Sequence, residues 1–205
     1  MAVMIDIISS MVLGGLLLLG IINADAVVTE NSSILNGNLL VQQMLITTAQ
    51  LVEGEFRNMG VGVPTDSGTV LAAGNTSIIY LTDLNRDGAM DQIQYYLGPV
   101  HELGNIQNDS VRLLHRRVNN GPIQSVGEVS KFSLRYFSQN EMDTLVPPIP
   151  AADLNMIRVV EITMEVQNRD ALYRNPYDVH PGERNAFYSS SYWRQTRLAS
   201  QNLKR

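Results

Sequence analysis

The chain has 205 residues, of which 44% are apolar and 17% are charged, so it is long enough and apolar enough to bury a core. It contains no cysteine, which excludes disulfides, thiolate metal sites and a cysteine nucleophile. The net charge is −5, and residues 1–56 hold five acidic side chains and no Lys or Arg. Because no basic field is present to neutralise phosphates, we do not expect the chain to bind nucleic acid.

The first predicted element is an apolar helix. Residues 7–24 carry no charged side chain, and about 20 such residues in a helix cross the hydrocarbon core of a membrane. A cleaved signal peptide and a buried core helix are the alternatives. Residues 1–8 carry an acidic side chain and no basic one, which is unusual for a signal peptide. We therefore predict a transmembrane or filament-core helix over residues 1–26.

Three residues of this segment are candidates for stalk assembly. Asp6 places a carboxylate at the edge of an apolar helix, which costs several kcal/mol unless a positive group neutralises it. The nearest candidate cation is an α-amino group; alternatively, Asp6 is a residue at the water interface favoured by the helix dipole. Ser10 and Gly14 form a pair of small residues four apart, a spacing that allows two apolar helices to approach closely.

The second predicted element is an amphipathic helix within residues 27–63, which packs on a head. Its apolar positions recur every three or four residues, and Glu53 and Glu55 lie at polar positions between them. These apolar positions are Val41, Met44, Leu45, Thr48, Leu51, Val52 and Phe56. If both segments join, they form one helix of about 50 residues, interrupted at residues 36–38 (NGN) and softened by the glycines at 14 and 15.

Residues 64–205 are predicted to form an antiparallel β head, because the apolar period shifts from 3.6 to 2 and turn residues separate the apolar runs. The predicted strands cover residues 77–81, 92–97, 111–118, 131–136 and 160–166. From Asn168 on, the chain is polar and aromatic and forms either a long surface loop or an arm, which we call the aromatic arm; its basic residues are Arg194, Arg197, Lys204 and Arg205. This basic end either complements the acidic stalk of a neighbour or is a solvated terminus.

One loop matches the first part of a calcium-binding loop. Asp83, Asn85, Asp87 and Asp91 stand at ligand positions one, three, five and nine, and a glycine stands at position six. Position twelve is Gln94 rather than the bidentate Glu of such loops. The alternative is a hairpin turn without metal, for which Asn-x-Asp-Gly is favourable sequence. Calcium is therefore the one cofactor that the sequence suggests.

The remaining polar residues do not suggest catalysis. The three histidines, His101, His115 and His180, stand far apart and lack the spacing of a metal site. The serine run at residues 189–191 has no nucleophile-elbow sequence around it, and no phosphate-binding glycine motif occurs. We predict that the protein is not an enzyme.

Several segments together resemble the prepilin-type family, specifically the minor pilins of type IV pili and the pseudopilins of type II secretion systems. The amphipathic segment ends in EFRNMGVG (residues 55–62), which is similar to the E-x-R-x-x-G-Y-G ending common in that family. The likeness continues through IYLTDLNRDG (79–88), IQYYL (93–97) and LLHRRVN (113–119), and then in residues 129–136 and 197–203.

The resemblance implies an α+β lollipop fold, in which a long N-terminal helix continues from an apolar stalk into an amphipathic half packed on an antiparallel sheet. It implies a non-catalytic subunit of a filament or pseudopilus, whose partners are copies of itself or other pilin-like subunits. The head would lie on the periplasmic or extracellular side. The family places a Glu at the fifth mature position, and Asp6 would be fifth if only Met1 were removed. The alternative function is a membrane-tethered accessory subunit of a larger complex.

Overall fold

A computed structural model of the chain describes residues 2–64, 67–104, 106, 108–138, 144–169, 173–174, 186–187, 191–199 and 203. The first element is one α-helix, α1, which runs from Ala2 to Arg57. The predicted interruption at residues 36–38 is wrong, because the helix continues through it. A helical glycine costs only about 1 kcal/mol relative to alanine, so the good helix formers on either side outweigh it.

The described strands are all antiparallel to their neighbours. They are β1 (Val70–Ala73), β2 (Ser77–Thr82), β3 (Asp91–Leu97), β4 (Arg112–Val118), β5 (Gln124–Val129), β6 (Lys131–Phe137), β7 (Thr144–Leu145), β8 (Val159–Val166), β9 (Tyr173–Arg174), β10 (Ala186–Phe187) and β11 (Tyr192–Leu198). A short 3-10 helix, Leu154–Met156, precedes β8.

The strands form three sheets rather than the single sheet predicted. β1 to β5 form a five-stranded meander, β11-β8-β6-β7 form a four-stranded sheet, and β9 pairs with β10. The two larger sheets meet where β5 passes into β6, and there the Ser130 N–H donates to the Glu165 carbonyl over 2.8 Å. All five predicted strands are present within one or two residues of their expected ends.

The core lies between the last third of α1 and the inner faces of the two larger sheets. The helix contributes Val41, Ala49, Val52 and Phe56, all at most 1% exposed. The Phe56 ring lies 5.4 Å from the rings of both Tyr80 and Tyr95, so it joins β2 and β3 to the helix. The predicted α+β fold, a long N-terminal helix on an antiparallel β head, is confirmed.

The helix extends well beyond the head. The first buried side chain of α1 in the described chain is Val41, and every described side chain from residue 3 to residue 29 is exposed. The packing on the head therefore begins some 14 residues later than the start of the predicted amphipathic segment at residue 27. At 1.5 Å per residue, about 57 Å of helix projects from the head.

The aromatic arm predicted from Asn168 is described only in part. Its residues 192–198 form the edge strand β11, which pairs with β8 from Tyr192↔Val166 to Leu198↔Val160. This part of the arm therefore belongs to the head. Lys204, Arg205, His180 and the serine run at residues 189–191 lie outside the described residues.

Candidate functional site: an exposed apolar stalk

The projecting part of α1 exposes a continuous apolar surface. Fourteen large apolar side chains between Val3 and Ile22 are 55% to 75% exposed. The most apolar window of the helix has a mean hydropathy of 2.3, and none of it is buried against the rest of the chain. By length and composition this helix can cross a membrane, so the chain carries a candidate N-terminal membrane anchor.

Asp6, Ser10 and Gly14 stand four residues apart on this helix, and the structure places them along one side of it. The Ser10 hydroxyl donates to the carbonyl oxygens of Asp6 at 2.8 Å and Ile7 at 3.0 Å. Because its hydrogen bond is satisfied within the helix, Ser10 presents a small surface without an unpaired donor. The Asp6 carboxylate is exposed.

No contact within the described chain and no backbone conformation requires glycine at position 14. A Cβ built on Gly14 meets no other atom within 4 Å, and the backbone there is helical. Glycine costs about 1 kcal/mol of helix stability relative to alanine. Gly14 lowers the stability of its helix and contacts no other described part of the chain. Because it has no side chain, it allows a second helix to approach closely.

The head end of α1 is fixed by two carboxylates at the positions that the sequence assigned to the polar face. Glu53 is only 6% exposed; its Oε1 accepts from the Thr196 hydroxyl at 2.7 Å and lies 2.6 Å from Arg194 Nε. These partners both lie on β11. The assignment of Glu53 to the polar face is therefore wrong, and Arg194 pairs within its own chain.

Glu55 makes the matching connection to the other sheet. Its two oxygens lie 2.8 and 2.9 Å from Arg116 Nη2 and Nε on β4, and it accepts from the Tyr95 hydroxyl on β3 at 2.7 Å. The hydrogen bond to Glu55 raises the pKa of Arg116, and burial, followed by the same carboxylate, raises the pKa of Tyr95. Both neighbours therefore keep their protons, so the last turns of α1 are bound to both sheets.

A third carboxylate holds the outer face of the four-stranded sheet. Glu161 is 1% exposed and lies 2.6 Å from Arg197 Nε and 3.2 Å from Arg135 Nη1. Both guanidinium groups also lie over the Phe137 ring, at 4.8 and 5.5 Å from its centre. Burial alone would raise the pKa of Glu161, but hydrogen bonds from Arg197 and Gln195 and the two positive charges lower it overall. Arg197 is therefore committed to its own head.

The predicted calcium loop is closed by its own side chains. The two Asp83 oxygens accept from the backbone N–H groups of Asp87 at 3.1 Å and Gly88 at 3.0 Å, and Asp91 accepts from Leu84 at 3.1 Å. Gly88 has φ +85°, a conformation that glycine adopts without strain.

Within the described ranges, no group of three or more His, Cys, Asp or Glu side chains is placed to hold a metal ion. The hydrogen bonds around Asp83 explain the hairpin without a metal, and calcium binding stays a prediction.

The remaining two histidines show no common site. His115 is 5% exposed, and its Nε2 lies 2.7 Å from Glu102 Oε2; its ring also contacts Tyr96. His101 lies in the loop after β3. The contact with Glu102 could not be predicted from local sequence, because His115 and Glu102 stand 13 positions apart.

No protein-family model, curated protein or solved structure matches the chain.

Proposed function

We infer that the protein is a non-catalytic structural subunit of a pilin-like filament or pseudopilus. The apolar half of α1 anchors it in a membrane or a filament core, and its β head lies on the periplasmic or extracellular side. The exposed apolar stalk carries this proposal, because residues 3–29 contact no other part of the described chain closely enough to be buried.

The free energy that would be gained by burying the exposed stalk indicates that the stalk is permanently in an apolar environment. Burying one large aliphatic side chain is worth about 1.5–3 kcal/mol, so the fourteen exposed side chains of the stalk represent on the order of 20 kcal/mol. That exceeds the net stability of a typical domain, which is about 5–15 kcal/mol. The stalk is therefore expected to be covered by lipid, by other helices or by both.

Self-association is supported by the residues on one side of the stalk. Two neighbouring stalks can approach closely at Ser10 and Gly14, which carry no bulky side chain. Residues 2–56 contain no basic side chain, so a charge partner for Asp6 inside an apolar bundle has to come from elsewhere, such as a neighbour's N-terminal amine. The ion pairs of Glu53, Glu55 and Glu161 join elements of the same head, which supports a structural role for them.

The absence of native cysteine makes a direct test of self-association possible. We expect full-length chain carrying Leu16→Cys, in native membranes, to form disulfide-linked dimers on mild oxidation, because Leu16 lies in the middle of the stalk and is 60% exposed. Val146→Cys is the control: Val146 lies on the head and is 80% exposed, so it tests whether exposure alone gives dimers.

The same experiment separates the two functions. Dimers at position 16 and none at position 146 support a self-associating subunit. Cross-links from position 16 only to a different protein favour the membrane-tethered accessory subunit. A full-length chain that is monomeric in water without detergent would contradict both functions.

A further inference from the structure

A second apolar surface of α1 begins within the predicted membrane span and continues beyond it on the water side. We call it the stripe: it consists of Leu17, Ile21, Val28, Leu35, Leu39 and Ile46. The residues are separated by 4, 7, 7, 4 and 7 positions, the spacing that keeps side chains on one side of a helix and is typical of helix-to-helix seams. All six are 49% to 69% exposed.

Lipid cannot cover the upper part of the stripe. Acidic and polar residues from Asp25 to Ser33 mark the end of the apolar span, and Leu39 lies about 25 Å along the helix from Ile22. Val28, Leu35 and Leu39 nevertheless remain 62% to 63% exposed within their own chain. A protein surface is the covering that suits them, since a row of large apolar side chains in water marks an interaction site.

The flank groove supplies such a surface on the other side of the same helix. It is an open groove of about 310 Å³ between α1 and β5, lined by Leu40, Gln43, Met44, Thr47, Thr48, Val126 and Gly127. Its lining contains no charged side chain, and neither does the stripe. The groove begins at Leu40, about 27 Å along the helix from the end of the apolar span at Ile22, a distance that a lipid tail does not reach.

The stripe, the flank groove and the face buried on the head divide α1 into three sides about 120° apart. One chain can therefore use its stripe and its flank groove at the same time, each with a different neighbour. Two unlike surfaces that join head to tail generate a ring where the rotation closes and an open helical polymer where it does not, whereas a surface that pairs with itself stops at a dimer.

We propose that the flank groove of one subunit receives the stripe of a second copy of this chain, at residues 28–39. This inference rests on the proposed function and names the surfaces that the subunits use. The stripe continues without a break from Leu17 and Ile21 in the stalk, so the groove contact extends the stalk-to-stalk contact. Alone it is smaller than the roughly 800 Å² per partner of a stable interface, so it acts together with the stalk.

Cysteine pairs test this contact. Thr47→Cys places a thiol in the flank groove at an exposed helical position, and Val28→Cys, Leu35→Cys or Leu39→Cys places one on the stripe. Even the nearest pair, 39 and 47, lies about 12 Å apart within one helix, too far for an internal disulfide. We expect at least one double variant, oxidised as full-length chain in membranes, to give a ladder of dimers, trimers and longer species.

Mixing single variants fixes the direction of the contact. A stripe variant mixed with Thr47→Cys should give cross-linked dimers, whereas each variant alone should stay monomeric. Dimers of a stripe variant with itself, with no mixed dimer between the stripe variant and Thr47→Cys, would show a stripe-to-stripe pair and overturn the proposal. Val146→Cys combined with the stripe variants is the control for random collision, and it should give no ladder.

Different experimental results would contradict the groove contact and the proposed function. A chain that cross-links through Leu16→Cys but gives no ladder with any of the three pairs is a self-associating subunit that does not use the flank groove. A chain that forms no cross-link through Leu16→Cys and none between the stripe and the flank groove would contradict both the proposed function and the groove contact. Cross-links from Thr47→Cys to a different protein alone would assign the groove to another partner and overturn the proposal.

Discussion

Two buried carboxylates and the half-buried Glu55 connect the elements of this head, and each is paired with arginine. Glu53 joins α1 to β11, Glu55 joins α1 to β4, and Glu161 joins β8 to β6 and β11. A buried charge that loses its partner costs about 3–5 kcal/mol. The stability of the head should therefore depend on these pairs more strongly than on its exposed ion pairs.

Glu161 gives the head a pH-dependent stability. Because the folded pKa of Glu161 lies below its ordinary value of 4.5, the unfolded chain binds its proton more readily than the folded one. Its contribution is complete above about pH 4.5 and is lost as the pH falls through the folded pKa. Glu161→Gln should lower the free energy of unfolding by about 2 kcal/mol at pH 7, measured by urea denaturation.

The difference between wild type and Glu161→Gln should shrink as the pH falls below about 4.5. Glu128→Gln is the matched control, because Glu128 pairs with Arg169 over 3.4 Å at a more exposed position. An exposed pair contributes about 0–1 kcal/mol. A difference for Glu161→Gln that stays constant from pH 7 to pH 3 would contradict this prediction.

Asp6 is expected to act in assembly and not in anchoring. Asp6→Asn removes the charge at the edge of the span, which makes insertion into a membrane easier, since a carboxylate there opposes insertion. It also removes the group that a neighbour's amine would neutralise. We therefore expect full membrane association with about tenfold weaker self-association, measured by cross-linking through Leu16→Cys.

Asp25→Asn is the control for Asp6→Asn, because Asp25 follows the apolar span and is exposed to water. It should leave self-association unchanged. Equal effects of the two substitutions would assign Asp6 to the water interface, which is the alternative interpretation of Asp6 from the sequence.

The spacing of apolar residues in the sequence predicted which side chains of α1 are buried, and it was correct for apolar core positions. Val41, Val52 and Phe56 were expected on the buried face and are buried. Glu53 was not expected there, because its partners Arg194 and Thr196 stand more than 140 positions away on an edge strand. A distant ion pair leaves no local pattern, so only the folded chain reveals it.

The same distinction holds for whole elements. Strands with strict alternation, such as β2 and β8, were predicted, but β5 was missed because its sequence QSVGEV has a glycine and little apolar alternation. Gly127 is required there by packing: a Cβ on it would lie 2.5 Å from the Thr48 hydroxyl oxygen. β5 was therefore missed because a helix contact, and not strand propensity, determines its sequence.

Substitution of Gly14 tests whether subunits associate through one particular side of the stalk. Gly14→Leu and Gly15→Leu both add an apolar side chain where a Cβ meets no atom within 4 Å, and both should leave α1 helical and anchored. Gly14 shares a side of the helix with Asp6 and Ser10, whereas Gly15 lies on the opposite side. We expect Gly14→Leu to weaken self-association about tenfold, measured by sedimentation in detergent, and Gly15→Leu to have a smaller effect. Equal losses would show that this side is not special.

The loop after β2 tests the hairpin against the calcium site. Asp83→Ala removes hydrogen bonds to two backbone N–H groups and should lower the free energy of unfolding by about 1–2 kcal/mol, with calcium or with a chelator present. The measurement is thermal unfolding of the full chain in both conditions. A melting temperature of the wild type that rises on adding calcium, and does not rise for Asp83→Ala, would establish a calcium site and contradict a turn without metal.

At the scale of the whole molecule, the chain divides into a stalk whose described side chains are not buried and a head onto which α1 packs from Val41 on. The described residues before Val41 contribute no buried side chain, although they make up the part of α1 with the largest apolar exposure. The sequence predicted this division, because a run without charged side chains gives way to an amphipathic pattern. The segment predicted to pack on the head began at residue 27, whereas the first described buried side chain is Val41. Helical spacing alone does not show where packing starts, because Val28, Leu35 and Leu39, seven and four positions apart, would have the same spacing whether they faced a head or a neighbour.

Removing residues 1–28 should therefore free the head without unfolding it. The shortened chain keeps every buried residue, so its melting temperature should stay within about 4 °C of the full-length value, and it should be a monomer without detergent. Removing residues 1–46 is the control, because it also deletes the buried Val41 and Leu45 and should cost about 2–5 kcal/mol for each. Calorimetry and sedimentation measure both effects. If the first deletion destabilised the head as much as the second, residues 29–40 would have to support the head, and the stripe would not be free for a neighbouring subunit.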